Sequence, residues 1–148
     1  DGRDADLVKL TEDLIDKTRE PARKVALLLK GAEVSRVRLK KLSRAQELVE
    51  RALEIAPDNV SALLARADIA QDLGDAGGAL APLERLAAKL DDASERARVH
   101  YRIGRLLEEH LLRPDDARRR YRAAVEGSPG RRDAWEAPKW RAAKMAEM

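Results

Sequence analysis

Residues 42–90 read LSRAQELVERALEIAPDNVSALLARADIAQDLGDAGGALAPLERLAAKL, and the breaks in this stretch decide the fold. Ala45, Val49, Ala52 and Leu53 recur at the three-and-four spacing that puts them on one face of a helix. Pro57 ends that helix, since proline cannot donate to the hydrogen-bond ladder and turns the residue before it away from helical backbone. Asn59 or Ser61 then caps a second helix, with Leu63, Leu64, Ala67 and Ala70 along its apolar face. Gly74-Asp75 closes that one, because glycine reaches the left-handed conformation at least cost. Gly77, Gly78 and Pro82 weaken the start of a third helix, expected from about Gly78 to Leu90 with a late start or a kink.

The same pattern returns along the chain. Ala32, Ala67 and Gly104 recur at intervals of 35 and 37 residues, and Ala45, Ala79 and Ala117 at 34 and 38. Small residues at matched points let two helices approach closely, so one helical hairpin is used several times. The pattern resembles the tetratricopeptide repeat, whose period is about 34 residues. It is carried by Leu28, Ala32, Ser35, Ala45, Val49, Ala52 and Pro57 in one unit. The next has Leu63, Ala67, Ala70, Gly74, Asp75, Ala79, Leu83 and Leu86, with Asp91 in place of the closing proline. The third has His100, Ile103, Gly104, Leu107, Ala117, Tyr121, Ala124 and Pro129.

Three departures from the repeat stand out. In the outer two units the small residue of the first helix and the alanine of the second are 13 positions apart, where in the middle unit they are 12 apart. No tryptophan occurs before Trp135, and Leu86 stands where alanine is usual. A shift of 72 residues also superposes Glu12, Leu14 and Lys17 on Glu84, Leu86 and Lys89, and Leu39, Ala45, Ala52, Glu54 and Pro57 on Leu111, Ala117, Ala124, Glu126 and Pro129.

The resemblance implies an all-α fold, a right-handed α-solenoid of stacked antiparallel helix hairpins, with residues 1–148 forming a single domain. Residues 6–18 are then the second helix of a repeat whose first is missing, as in a segment cut from a longer array, with Leu7, Leu10, Leu14 and Ile15 inward. Repeats follow over 21–57, 60–91 and 94–129, and residues 132–148, with Trp135, Pro138 and Trp140, form a capping segment. The first complete repeat opens with a long helix from Pro21 to about Lys40, burying Val25, Leu28, Leu29, Ala32, Val34 or Ser35, and Leu39; Gly31 within it allows close packing. Ser94 is the expected cap of a helix over 95–109, and a helix over 115–126 completes the third hairpin.

Composition bounds the function. With 44% hydrophobic residues, no Phe and 3% aromatic residues, the chain suits Leu- and Ala-rich helix packing, whereas a sandwich or barrel needs more β-branched and aromatic residues. Thirty basic and 27 acidic residues are interspersed, leaving a net charge of only +3, which points to solvated helix faces and away from a dedicated polyanion binder. Without cysteine there is neither a disulfide nor a thiolate metal site, and the redox compartment stays open. No apolar run is long enough to span a membrane and DGRDADL is not a signal sequence; the localisation stays open, with a cytoplasmic setting favoured.

Chemistry finds little support. His100 and His110 are ten apart with no HExxH spacing, and Gly77-Gly78 lacks the lysine and preceding strand of a phosphate loop. No enzyme activity, cofactor or metal is expected.

What the resemblance implies instead is a protein or peptide bound along the first helices of successive repeats. The fifth positions of those helices are Leu29, Leu64 and Tyr101, the ninth Glu33, Asp68 and Arg105, and the twelfth Arg36, Gln71 and Glu108. This is an apolar line flanked by both charges, suited to an amphipathic segment, although Leu29 and Leu64 would serve equally well as packing residues. Leu and an acid at the fifth and ninth positions exclude the Lys and Asn with which some such repeats clamp a carboxylate. Two alternatives stand beside this reading. Arg118, Arg119, Arg120 and Arg122, with Arg131 and Arg132, make a basic cluster that would suit nucleic acid. The ends of the array, with Leu7, Leu10 and Leu14 at one of them, would suit homo-oligomerisation.

Overall fold

The computed structural model describes residues 2–127, which form seven α-helices and no strand. The helices are α1 (Gly2–Lys17), α2 (Pro21–Glu33), α3 (Leu42–Ile55), α4 (Val60–Asp72), α5 (Ala76–Lys89), α6 (Ala93–Glu109) and α7 (Pro114–Gly127). The expected capping segment with Trp135 and Trp140, the closing Pro129, and Arg131 and Arg132 lie outside the described residues.

Three helices start on the same device. Asn59 accepts a hydrogen bond from the Ala62 amide at 2.9 Å, Asp75 from the Gly78 amide at 2.8 Å, and Asp92 from the Glu95 amide at 2.9 Å. Each side chain thereby satisfies an amide that has no intrahelical partner. Two expectations are corrected by these caps. Asp92, not Ser94, opens α6, which begins at Ala93. With Asp75 bonded to Gly78, α5 begins at Ala76 despite its two early glycines, so it starts early and not late. Proline at the start of α2 and of α7 costs nothing, because amides there have no helical acceptor.

The chain divides into two compact units, one up to Pro82 and one from Leu83 on. The division falls inside α5, where Pro82 cannot donate to the carbonyl four residues back, at Gly78. In the first unit α1 packs on α2, α2 on α3, and α3 on α4. Its core joins Ile15, Val25, Leu28, Ala32, Ala45, Leu48, Val49, Ala52, Ala62 and Ile69. In the second unit α6 packs along α7, and Leu83, Leu86, Ala97, Ile103, Leu106, Ala117 and Ala124 are buried. All six of the small residues that set the repeat register are buried, as close helix contact requires.

The inward face of α1 differs from expectation. Leu10 and Leu14 are 57% and 44% exposed, while Thr11 and Ile15 are buried. The helix is turned by one position, and Thr11 is tolerated inside because its hydroxyl donates to the Leu7 carbonyl at 2.7 Å. On the outer side Arg44 pairs with Glu12, and Arg38 bonds Asp4 at 3.0 Å. Leu48 belongs in the α3 stripe and Leu53 only borders it, the true face being 45, 48, 49 and 52.

The surplus residue of the outer repeats has a structural counterpart. The single long helix expected from Pro21 to Lys40 is instead α2 followed by a wider π-helical turn, Val34–Arg38. There the Leu39 amide bonds the Val34 carbonyl and the Lys41 amide the Ser35 carbonyl; 72 residues on, Leu111 bonds Leu106 and Arg113 bonds Leu107 in the same pattern. The middle repeat lacks the surplus and ends α4 with the tighter pair, Asp75 to Ala70 and Gly74 to Gln71. All three turns pass through the left-handed region, at Lys40 (φ 56°), Gly74 (φ 77°) and Leu112 (φ 51°). Only Gly74 does so without side-chain strain. Lys40→Gly and Leu112→Gly are each expected to stabilise the chain by about 0.5–1 kcal/mol, the roughly 1–2 kcal/mol left-handed penalty less glycine's added freedom when unfolded. Urea midpoints check this; two unchanged or lowered midpoints would mean that these side chains make contacts worth more than the strain.

Candidate functional site

Successive first helices α2 and α4 lie side by side in the first unit and leave an open trough between them, with a water-accessible volume of about 290 Å³. It is lined from α2 by Leu29, Ala32 and Glu33, from the π-helical turn after it by Arg36, and from α4 by Ser61, Leu64, Ala65, Asp68 and Ile69. The lining follows from helical spacing, since residues three and four apart present one face. Leu29 and Leu64 are half-buried in the trough, and Leu29 also packs against the core of the first unit.

At the rim Arg36 Nε donates to Asp72 Oδ2 at 2.6 Å. That hydrogen bond, with the nearby Asp72, Asp68 and Glu33 carboxylates, holds the guanidinium above its ordinary pKa against the opposing effect of partial burial. The charge of Arg36 is thus balanced within the protein and is not offered outward.

Leu29, Glu33, Arg36, Leu64 and Asp68, singled out by repeat position, come together in this trough. Gln71 is exposed on α4 and does not line it. Tyr101, Arg105 and Glu108 lie on α6 in the second unit. Tyr101 is engaged there, its ring 5.6 Å from that of Tyr121 at 46°, and Arg105 pairs with Glu109 at 2.9 Å. Ser61, Ala65 and Asp72 were not anticipated. Their spacing with Asp68 marks one row along α4, but the 36-residue separation of the Arg36–Asp72 pair carries no periodic signal.

The arginine cluster on α7 is largely matched by carboxylates. Arg118 lies 3.9 Å from Asp115, Arg119 3.5 Å from Asp116, and Arg120 Nη2 donates to Glu84 at 2.7 Å. Arg120 Nη1 is also 3.3 Å from His100 Nδ1. Burial first, then the adjacent Arg120 and Arg96, push the His100 pKa down, with Glu84 acting the other way. The histidine is therefore part of a contact linking α5, α6 and α7. Among the described residues, no group of three His, Asp or Glu is placed to hold a metal ion, and no helix is long and apolar enough to cross a membrane.

Buried small residues at repeat spacing and side-by-side first helices define a tetratricopeptide-like helical repeat, a fold of the α-solenoid class. Two solved structures of MamA share it. One, described as "MamA MSR-1 C2", matches with a TM-score of 0.65 at 20% identity, covering 99% of this chain and 88% of that one. The other, "Crystal structure of MamA", matches with a TM-score of 0.68 at 15% identity, covering 95% and 86%. At such identities the likeness is one of fold. No protein-family description matches the sequence, and no curated protein does.

Proposed function

We propose that this chain is a protein-interaction scaffold that holds a peptide or a partner helix in the trough between α2 and α4, and performs no chemistry of its own. The observation that carries this reading is the convergence of Leu29, Leu64 and Ile69 beneath a rim of Glu33, Arg36, Ser61 and Asp68. An apolar floor with a few polar groups is the composition of a recognition site. A trough open along its length suits a chain of side chains better than an enclosed metabolite. Helical repeats support the same use, because each contacts its neighbours and leaves a continuous row of one helix's side chains available.

The test is selection of helical peptides that bind the full chain, followed by affinity measurement on variants. Leu64→Gln removes most of an apolar contact and is expected to weaken a selected binder about ten-fold, equivalent to roughly 1.4 kcal/mol. Leu73→Gln, at an exposed leucine that caps the C-terminus of the same helix outside the trough, is expected to leave affinity unchanged. Circular dichroism checks that both variants stay folded. Binders indifferent to Leu64→Gln would place recognition elsewhere.

A further inference from the structure

Arg120 fixes the state of His100. A guanidinium carries only donors, so the 3.3 Å approach of its Nη1 to His100 Nδ1 is a hydrogen bond in which the ring nitrogen accepts. The imidazole is therefore neutral, with its proton on Nε2. The same guanidinium donates from Nη2 to Glu84 at 2.7 Å, so one arginine of α7 holds a carboxylate of α5 and a histidine of α6, all within the second unit. All three side chains are partly withdrawn from water.

A proton on Nδ1 removes that acceptor and sets a second cation against the guanidinium. Among the described residues, the charged groups acting on the ring are Arg120 from α7, Glu84 from α5 and Arg96, one turn earlier on α6. Protonation thus gathers three cations around a single carboxylate that Arg120 already holds. Half-burial leaves less water to screen them.

We propose that Glu84, Arg120 and His100 form a proton-sensitive latch, which joins α5, α6 and α7 while His100 is neutral and loosens when the ring takes up a proton. Burial, then Arg120 and Arg96, hold His100 below its ordinary value of 6.5 in the folded chain, with Glu84 acting the other way. A locally opened segment titrates at the ordinary value. As the pH falls through 6.5 the open form binds the proton first, so the latch is at full strength above that value and weakens towards the lower, folded-state one.

The full chain is followed by NMR of the histidine rings and by amide hydrogen exchange, corrected for intrinsic rates, between about pH 7.5 and 5.5. The His100 signal, told apart from that of His110 by His110→Gln, titrates below 6.5. Protection of the α7 amides falls about three- to ten-fold, the upper limit being what one proton bound only by the open form contributes over the pH unit below its midpoint. In His100→Gln, whose side-chain oxygen still accepts from Arg120 but does not titrate, the fall shrinks to less than about two-fold. Arg120→Met moves the His100 titration up towards its ordinary value. A His100 ring that titrates at or above 6.5, a titration that Arg120→Met leaves in place, α7 protection that does not fall, or a fall that survives His100→Gln each overturns the proposal. The ring titration and the α7 protection are read on the unaltered latch, so they decide the point even where a variant fails to fold.

Discussion

Gly104→Ala is expected to destabilise the protein by up to about 2 kcal/mol, against the usual direction for replacing a helical glycine. Alanine in place of glycine in a helix interior gains about 1 kcal/mol. At Gly104 the added methyl carbon would lie 2.8 Å from Tyr121 Cε1 and 2.9 Å from Cδ1. A ring cannot yield as a flexible side-chain tip does, and this one already packs against Tyr101 at a centroid distance of 5.6 Å. Overpacking of this kind costs about 1–3 kcal/mol, which outweighs the propensity gain. Thermal or urea unfolding followed by circular dichroism gives the sign. The cause is tested by trimming the ring: in a Tyr121→Leu background the same substitution loses its penalty, a coupling of at least about 1 kcal/mol. Gly104→Ala at or above wild-type stability would mean that the glycine is not where α6 and α7 touch most closely.

Gly104 was legible because a missing side chain must recur wherever two backbones meet. The same logic identified Ala32, Ala45, Ala67, Ala79 and Ala117, all buried. The turns at Pro57 and Gly74 and the cap at Asn59 were equally readable, since each rests on a local backbone property. Other features depended on contacts that no single segment encodes. Thr11 reads as surface polar, yet it is buried because its own helix supplies an acceptor at Leu7. Leu10 and Leu14 read as core, yet α1 turns them outward. The surplus residue of the first repeat could be counted, but nothing in KGAEVSRVR says that it widens the helix over Val34–Arg38 instead of lengthening a loop.

The candidate site divides along the same line. Repeat position brought Leu29, Glu33, Arg36, Leu64 and Asp68 forward, because equivalent positions on successive first helices must face the same furrow. It could not reveal that Arg36 is bound by Asp72.

Leu48→Ala is expected to be the costliest of the substitutions considered, at about 2–5 kcal/mol, because it empties fully buried space. Leu48 is wholly inaccessible and belongs to the core that joins α1 to α4. Small domains are stable by only about 5–15 kcal/mol, so this one change removes a large share of the total. The position opposite supplies a sharper test than the size of the loss. A methyl carbon built on Gly31 would sit 3.3 Å from Leu48 Cδ1 and 3.5 Å from Thr11 Cγ2. In the wild-type chain that contact is tight enough to offset the helix gain, so Gly31→Ala alone is expected to stay within about 1 kcal/mol of neutral. Once Leu48 is truncated the constraint disappears. The new methyl then enters vacated space while keeping the propensity gain, and Gly31→Ala in the Leu48→Ala background is expected to restore about 1–2 kcal/mol. Urea midpoints of the four proteins in this cycle decide it. If the two changes simply add, α2 and α3 do not meet at Gly31 and Leu48, and the closest contact between the helices of the first hairpin lies elsewhere.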